Sequence, residues 1–264
     1  MTTRWLVLGT DARMKQLAKF LTDEERTVYY KCTDKWTEEI NQLTARYEPQ
    51  RIILPIQPLF IEVEKLQGIE KATFFVGKLT KQWQELLAGC DVQYYLQQEA
   101  FIWQNAALTA EAMLAHFYQG GKSIQYKKVL ITGFGRVAKM LANLLVRLHV
   151  DVLIAVRSEV QRAEAQAYGY EAYILDETLR VDADYCINTI PAAWFDERFQ
   201  QSLCMPIFDL ASAPGCLRNI ERAEYELLPA LPGKYFAYDA ARLLYETILQ
   251  LEGEGRCLKA NELV

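Results

Sequence analysis

The chain has 264 residues, 51% hydrophobic and 24% charged, and a formal net charge of −5. This is ordinary globular composition, and at roughly 100–200 residues per domain it favours two domains. The acidic balance argues against an extended nucleic-acid or anionic-membrane surface, because either needs a basic face. The opening MTTRWLVLGTDAR has no signal-peptide apolar stretch, and no run approaches the roughly 18 apolar residues of a membrane span, so a cytoplasmic protein is expected. The six cysteines form no C-x-x-C pair, and none stands at metal-ligand spacing from His116 or His149. Neither a metal site nor a disulfide framework is expected, and cysteines in apolar runs such as Tyr185-Cys186-Ile187 read as buried thiols.

Strand-like and helix-like segments alternate from the start. Arg4–Leu8 reads as a strand and Asp11–Leu21 as an amphipathic helix; Thr27–Tyr30 is a second strand, followed by a helix over about Asp34–Tyr47. Arg51–Leu54, Ala72–Val76 and Val92–Tyr95 continue the strands; the second of these ends at Gly77, and a helix follows it to about Ala88. A helical pattern over about Asn105–Tyr118 ends at Gly120-Gly121, a strong stop signal. The alternation then restarts with strands at Lys128–Thr132, Asp151–Val156, Glu171–Ile174, Tyr185–Asn188, Pro206–Leu210 and Leu227–Leu228. An amphipathic helix from about Tyr238 to Leu251 closes the pattern. Such alternation predicts an α/β protein of two doubly wound parallel-sheet domains, the second a Rossmann domain. The expected boundaries are a flavodoxin-like domain over 1–104, an interdomain helix over 105–121 and a dinucleotide-binding domain over 122–236. Residues 237–264 should return to the first domain, because Leu243, Leu244, Ile248 and Leu251 form an apolar face that needs cover.

The sharpest motif is G-x-G-x-x-A: Gly133, Phe134, Gly135, Arg136, Val137 and Ala138, between an apolar strand and a helix. The first glycine permits the tight turn, the second lets backbone approach a pyrophosphate, and a small residue at 138 allows close helix–strand packing. The alternative is a purely structural turn. An NAD site usually carries an acid at the end of the next strand; here that end reads Val156-Arg157-Ser158, with Arg162 one turn on. A cation and a hydroxyl suit a 2′-phosphate, so NADP is expected in preference to NAD. A solvated loop arginine is the plainer alternative.

Ligands of open α/β sheets bind beyond the carboxyl ends of the strands. Three polar loops leave such ends. The first contains Asn188, Thr189, Ile190 and Pro191, and the second Asp209, Leu210, Ala211 and Ser212. The third contains Leu231, Pro232, Gly233 and Lys234. All three are expected around the nicotinamide half of the cofactor, although Asn, Ser, Pro and Gly also simply end strands. In the first domain, Gly9-Thr10-Asp11-Ala12-Arg13 lies between strand and helix without dinucleotide glycine spacing. Arg13 and the helix N-terminus can hold a substrate carboxylate, and Asp11 is equally readable as a helix cap. His116 and His149 fall within helical patterns and read as packed or surface residues.

These strings resemble the dehydrogenase-type subunit family of dipicolinate synthase over nearly the whole chain. The resemblance rests on Gly9, Asp11, Ala12 and Arg13; on Ile52-Ile53-Leu54-Pro55; and on Asn105, Thr109, Ala110 and Glu111 in the interdomain helix. In the second half it rests on Ile187–Pro191, Asp209–Gly215 and Leu231–Lys234. Differences from the family pattern are Leu108, Ala112, Cys216 and the stretch Ala237-Tyr238-Asp239-Ala240-Ala241. The resemblance implies dehydrogenation of a cyclic dicarboxylated intermediate, in partnership with a separate flavoprotein-like subunit. Arg13, Asp11, Asn105 and Thr109 would then bind substrate, and Lys234, Glu111 or Asp209 would serve proton transfer. A shikimate- or hydroxyacid-dehydrogenase-like reductase, or a non-catalytic dinucleotide- or partner-binding protein, would share the fold. Self-association is left open.

Overall fold

The computed structural model describes residues 2–23 and 25–261, with side chains as far as Gly253. The chain divides into two compact units, one of residues up to 105 and from 236 onward, the other of residues 106–235.

The first unit holds β1 (Thr3–Leu8), α1 (Ala12–Leu21), β2 (Arg26–Lys31), β3 (Lys35–Trp36), α2 (Glu38–Tyr47), β4 (Arg51–Ile53), β5 (Phe60–Ile61) and β6 (Thr73–Val76). It continues with α3 (Lys81–Leu86), β7 (Asp91–Tyr94), the start of α4 (Glu99–Gln119), and α9 (Ala237–Asn261). Five parallel strands run in the order β2-β1-β4-β6-β7. This is the flavodoxin-like order once the small β3-β5 pair is set aside. Strand alternation splits the core. Trp5 and Val7 of β1 join Met14, Leu17, Phe75, Tyr95 and Phe101 on one face, whereas Leu6 and Leu8 join Trp36, Ile52, Phe74 and Trp83 on the other. α9 packs against α1 and places Leu244, Ile248 and Leu251 in the first of these cores. Leu244 is completely buried. Leu244→Ala should therefore destabilise the protein by about 2–5 kcal/mol, measured as a lowered urea midpoint.

The helix expected from Asp34 starts at Glu38 instead, because Lys35–Trp36 is drawn into a parallel pair with Phe60–Ile61. Trp36 is buried and donates its indole N–H to Asn41 Oδ1 at 2.9 Å, a tertiary bond that the local pattern does not reveal.

The second unit holds β8 (Lys128–Thr132), α5 (Arg136–Arg147), β9 (Asp151–Val156), α6 (Glu159–Ala167), β10 (Glu171–Ile174) and β11 (Tyr185–Asn188). α7 (Glu197–Gln200), β12 (Ile207–Asp209), β13 (Tyr225–Leu227) and α8 (Leu231–Tyr235) complete it. Its six strands are parallel, in the order β10-β9-β8-β11-β12-β13. Counted within the unit this is 3-2-1-4-5-6, the dinucleotide-binding order, and the expected α/β class with a Rossmann domain is met. The last strand starts two residues and ends one residue earlier than expected, at Tyr225–Leu227, and the supposed loop Leu231–Lys234 is a short helix with Leu231, Pro232 and Gly233 buried. Among the described residues no helix is long and apolar enough to cross a membrane, and no cluster of His, Cys, Asp and Glu is placed to hold a metal.

Candidate functional site

The glycine loop joins the carboxyl end of β8, a central strand, to α5. Gly133 has φ +90°, and a Cβ there would stand 2.7 Å from Thr189 Oγ1, so the turn itself requires glycine. Gly135 differs: its φ is −82°, and a Cβ would meet nothing within 4 Å. Space is open above it. Gly135 is also the N-cap of α5, and no side chain caps this helix, whereas Asp11 caps α1 and Ser158 caps α6. The first helical bond of α5 runs from Lys139 N–H to the Gly135 carbonyl at 2.9 Å, so the amides of its first turn make no bond within the helix at this positive end. Open space over a glycine beside an uncapped N-terminus fits a pyrophosphate.

Phe134 contributes backbone only. Its ring is buried edge-to-face against Tyr168 and Tyr170, with Lys139 Nζ 5.3 Å from its centroid. At the end of β9, Arg157 is exposed. Ser158 Oγ accepts from Gln161 N–H at 3.3 Å, so its hydroxyl proton remains available to an incoming acceptor. Arg162 pairs with Glu159 at 2.6 Å and is already committed on that side.

The loops after β11 and β12 are organised by two completely buried side chains, Asn188 and Asp209. Asn188 Oδ1 accepts from Thr132 Oγ1 at 2.7 Å, Trp194 Nε1 at 3.0 Å and Ile190 N–H at 3.1 Å. Its Nδ2 donates to Asp209 Oδ1 at 2.7 Å and to the Ile190 carbonyl at 3.1 Å. Asp209 also accepts from the amides of Ala211 (2.9 Å) and Cys216 (2.6 Å) and from the Tyr225 hydroxyl (2.9 Å). Both side chains, expected to face cofactor or substrate, instead tie the carboxyl ends of β8, β11 and β12 together. Thr189 donates to the Thr132 carbonyl at 2.8 Å, Ile190 is buried, and Pro191 is exposed. The Leu210 and Ala211 amides are likewise taken, by the Asn188 carbonyl and by Asp209. The rim is thus pre-built beside the head of α5.

Sequence reasoning missed Trp194 and Tyr225, which complete this network. Their pairing partners lie 6 and 16 residues away, and the only local hint is an N–H or O–H bearing aromatic beside a polar loop. The buried carboxylate marks its neighbours. Burial, then the charge of Asp209, pushes the Cys186 thiol up to about 12, and burial and the Asp209 hydrogen bond raise Tyr225. The five described cysteines are free thiols, with Cys32 and Cys204 exposed and Cys186 and Cys216 buried. Alkylation at pH 8 followed by mass spectrometry should label Cys32 and Cys204 in the native protein, and Cys186 and Cys216 only after unfolding.

Of the remaining candidates, Glu111 is exposed on α4 and Lys234 is exposed on α8, its Nζ 5.3 Å from the Tyr235 ring centroid. His116 is held by neighbours in its own unit: Nδ1 lies 2.7 Å from the Tyr235 hydroxyl and Nε2 3.1 Å from Glu226. In the first unit Asp11 Oδ1 accepts from Arg13 N–H at 2.9 Å, and Arg13 is buried. Asn105 is half-buried and Thr109 buried, both on α4. A cavity of about 570 Å³ opens at the amino ends of β9 and β10, beside Asp151 and Glu171. It is at the wrong end of the sheet for a dinucleotide.

Residues 98–196 match the family model of the D-isomer specific 2-hydroxyacid dehydrogenase NAD-binding domain. No curated protein sequence matches the chain. Among solved structures, a dipicolinate synthase subunit from Bacillus halodurans is similar at 21% identity and a TM-score of 0.71, covering 94% of this chain and 97% of that one. The corresponding dipicolinate synthase chain from Bacillus subtilis is similar at 20% identity and a TM-score of 0.74, covering 97% and 98%. A 2-hydroxyacid dehydrogenase from Ketogulonicigenium vulgare Y25 is similar at 11% identity and a TM-score of 0.57, covering 97% and 96%. In fold, then, this chain is like these dipicolinate synthase subunits over nearly its whole length; its second half is a Rossmann domain, and residues 98–196 match the NAD-binding domain model of the dehydrogenases.

Proposed function

We propose that this protein is an NADP-dependent oxidoreductase of a small cyclic carboxylated substrate, acting in the manner of the dehydrogenase-type subunit of dipicolinate synthase. The observation that carries the reading is the uncapped head of α5, with open space over Gly135, at the carboxyl edge of a 3-2-1-4-5-6 parallel sheet. The amides of Arg136 and Val137 would take the pyrophosphate, and Arg157 with Ser158 the 2′-phosphate. The backbone of Thr189–Pro191 and of Leu210–Ser212, with Pro232 and Gly233 of α8 behind them, would flank the nicotinamide side. A nicotinamide bound here supplies or accepts a hydride. Asn188 and Asp209 position that rim. Lys234 and Glu111, both exposed, are the groups proposed to move a proton, and Arg13 to bind substrate. A separate flavoprotein-like subunit is the proposed partner, in a cytoplasmic setting.

Gly135→Ala tests the reading. The added methyl meets nothing within 4 Å, so the fold should keep its stability, but it would occupy the space assigned to the pyrophosphate. NADP affinity should fall at least about tenfold, or 1.4 kcal/mol, with the melting temperature of the free protein unchanged. Unaltered NADP binding in this variant would reduce the loop to a structural turn. Hydride transfer assayed with and without the flavoprotein-like partner then separates an enzyme from a non-catalytic dinucleotide-binding protein.

A further inference from the structure

At the amino edge of the second sheet, the cavity of about 570 Å³ is walled by the carboxyl ends of α5 and α6 and by the first residues of β9 and β10. Its size is that of a small-molecule site. Its wall carries charge of both signs. Arg147 is exposed and forms no ion pair among the described residues, although Asp151 and Glu171 line the same cavity. A basic residue in the last turn of a helix is ordinary. One that shares a cavity with two carboxylates and pairs with neither is not. Asp151 reaches only Lys128, at 3.7 Å with both side chains exposed, and Glu171 accepts from the Tyr173 hydroxyl. The carboxyl end of α6 adds partial negative charge near Glu171. The remaining wall includes Val146, 49% exposed, and the rings of Tyr168, 62% exposed, and Tyr170.

The two tyrosines also reach the glycine loop. Phe134 stands between Gly133 and Gly135, and its buried ring meets Tyr168 and Tyr170 edge-on, at centroid distances of 5.7 and 5.8 Å. Lys139 Nζ lies 5.3 Å from the Phe134 centroid and 5.5 Å from that of Tyr168. The cavity and the loop therefore share one contiguous set of packed rings, a physical route by which two sites can be coupled.

We infer that this cavity is a second ligand site, for an α-amino acid with an apolar or aromatic side chain, and that filling it tightens dinucleotide binding at the glycine loop. The ligand class follows from the wall. A simple anion would satisfy Arg147 and be repelled by Asp151 and Glu171, and a simple cation would do the reverse. A zwitterion serves both, with its carboxylate on Arg147 and its ammonium group toward the two acids, while Val146, Tyr168 and Tyr170 cover an apolar side chain. The direction of coupling follows from the rings. A ligand packed on the exposed face of Tyr168 holds that ring against Phe134, so part of the ordering of the loop is complete before the dinucleotide arrives. The site itself is independent of the oxidoreductase reading, and only the coupling rests on it.

The test uses the full-length protein and L-phenylalanine, titrated calorimetrically first without cofactor. Two analogues each lack one charge: 3-phenylpropionate has no ammonium group and 2-phenylethylamine no carboxylate. Phenylalanine should bind, and each analogue should bind about fivefold more weakly or worse. Arg147→Gln should weaken phenylalanine to the same degree and leave 2-phenylethylamine unchanged. Glu171→Gln should weaken phenylalanine and leave 3-phenylpropionate unchanged. Both positions are exposed, so both variants should fold. Saturating phenylalanine should lower the NADP Kd about fivefold, and NADP should lower the phenylalanine Kd by the same factor. Phe134→Leu keeps an apolar side chain but loses the ring contacts, so phenylalanine should still bind and the mutual effect should vanish. Absence of phenylalanine binding at about 10 mM, or binding that both analogues match, overturns the site. So does sedimentation as a dimer that Arg147→Glu dissociates, which would give this face to a second copy of the chain. Phenylalanine binding with an unchanged or raised NADP Kd overturns the coupling. Phenylalanine binding that depends on Arg147 in a protein that ignores NADP upholds the site and removes the dinucleotide reading, and the coupling with it.

Discussion

Replacing Arg157 by alanine is expected to cost NADP roughly 5- to 150-fold in affinity while leaving NAD nearly unchanged. The side chain is exposed at the end of β9, the second strand of the Rossmann order, where an NAD site would place an acid. Its loss would remove the charge-assisted hydrogen bonds proposed to a 2′-phosphate, worth about 1–3 kcal/mol in a screened, solvent-facing position. Arg157→Asp should go further and invert the preference, because a carboxylate repels the phosphate and accepts from the ribose hydroxyls of NAD. Arg162, one turn further on, is held by Glu159 at 2.6 Å and should not compensate. Calorimetric titration of both cofactors decides the matter, and equal affinity for NAD and NADP in the wild-type protein would remove Arg157 from the cofactor site.

Asn188→Ala should be the most damaging single change in the second unit, costing about 3–5 kcal/mol in a urea titration. The substitution strips Trp194 Nε1 and Thr132 Oγ1 of their acceptor and Asp209 Oδ1 of a donor, all in a completely buried setting. Each unsatisfied group costs about 1–3 kcal/mol, more where it is charged, and local water entry returns part of that sum. The same variant should lose cofactor affinity, since the ends of β8, β11 and β12 would no longer be fixed to one another. Trp194→Phe makes a useful contrast. It removes a single donor and keeps the ring's packing against Phe195 and Phe199, so a loss of only about 1 kcal/mol is expected. If Asn188→Ala proves as mild as Trp194→Phe, the network does not organise the rim.

Much of this protein is written locally. Short apolar runs followed by turn residues and amphipathic helices specify parallel βα units, because the period of the pattern is a property of each segment by itself. The glycine loop is local too: Gly133 and Gly135 stand two residues apart in the chain, and a tight turn followed by an open helix end needs nothing from elsewhere. The apolar face of α9 was legible as Leu244, Ile248 and Leu251, but α1 as its packing partner was not. Tertiary structure alone decided the strand orders and the Lys35–Trp36 pairing with Phe60–Ile61, since hydrogen bonds between distant strands carry no mark within either strand. It also decided the direction of the polar side chains at the strand ends. Asn188 and Asp209 have the composition of ligand-binding residues, yet 21 residues apart in sequence they find each other at 2.7 Å and turn inward. A buried polar group must find its partners wherever the fold supplies them. Arg13 is the converse case, a residue whose type suggested a ligand and whose burial leaves one nitrogen without any partner among the described residues.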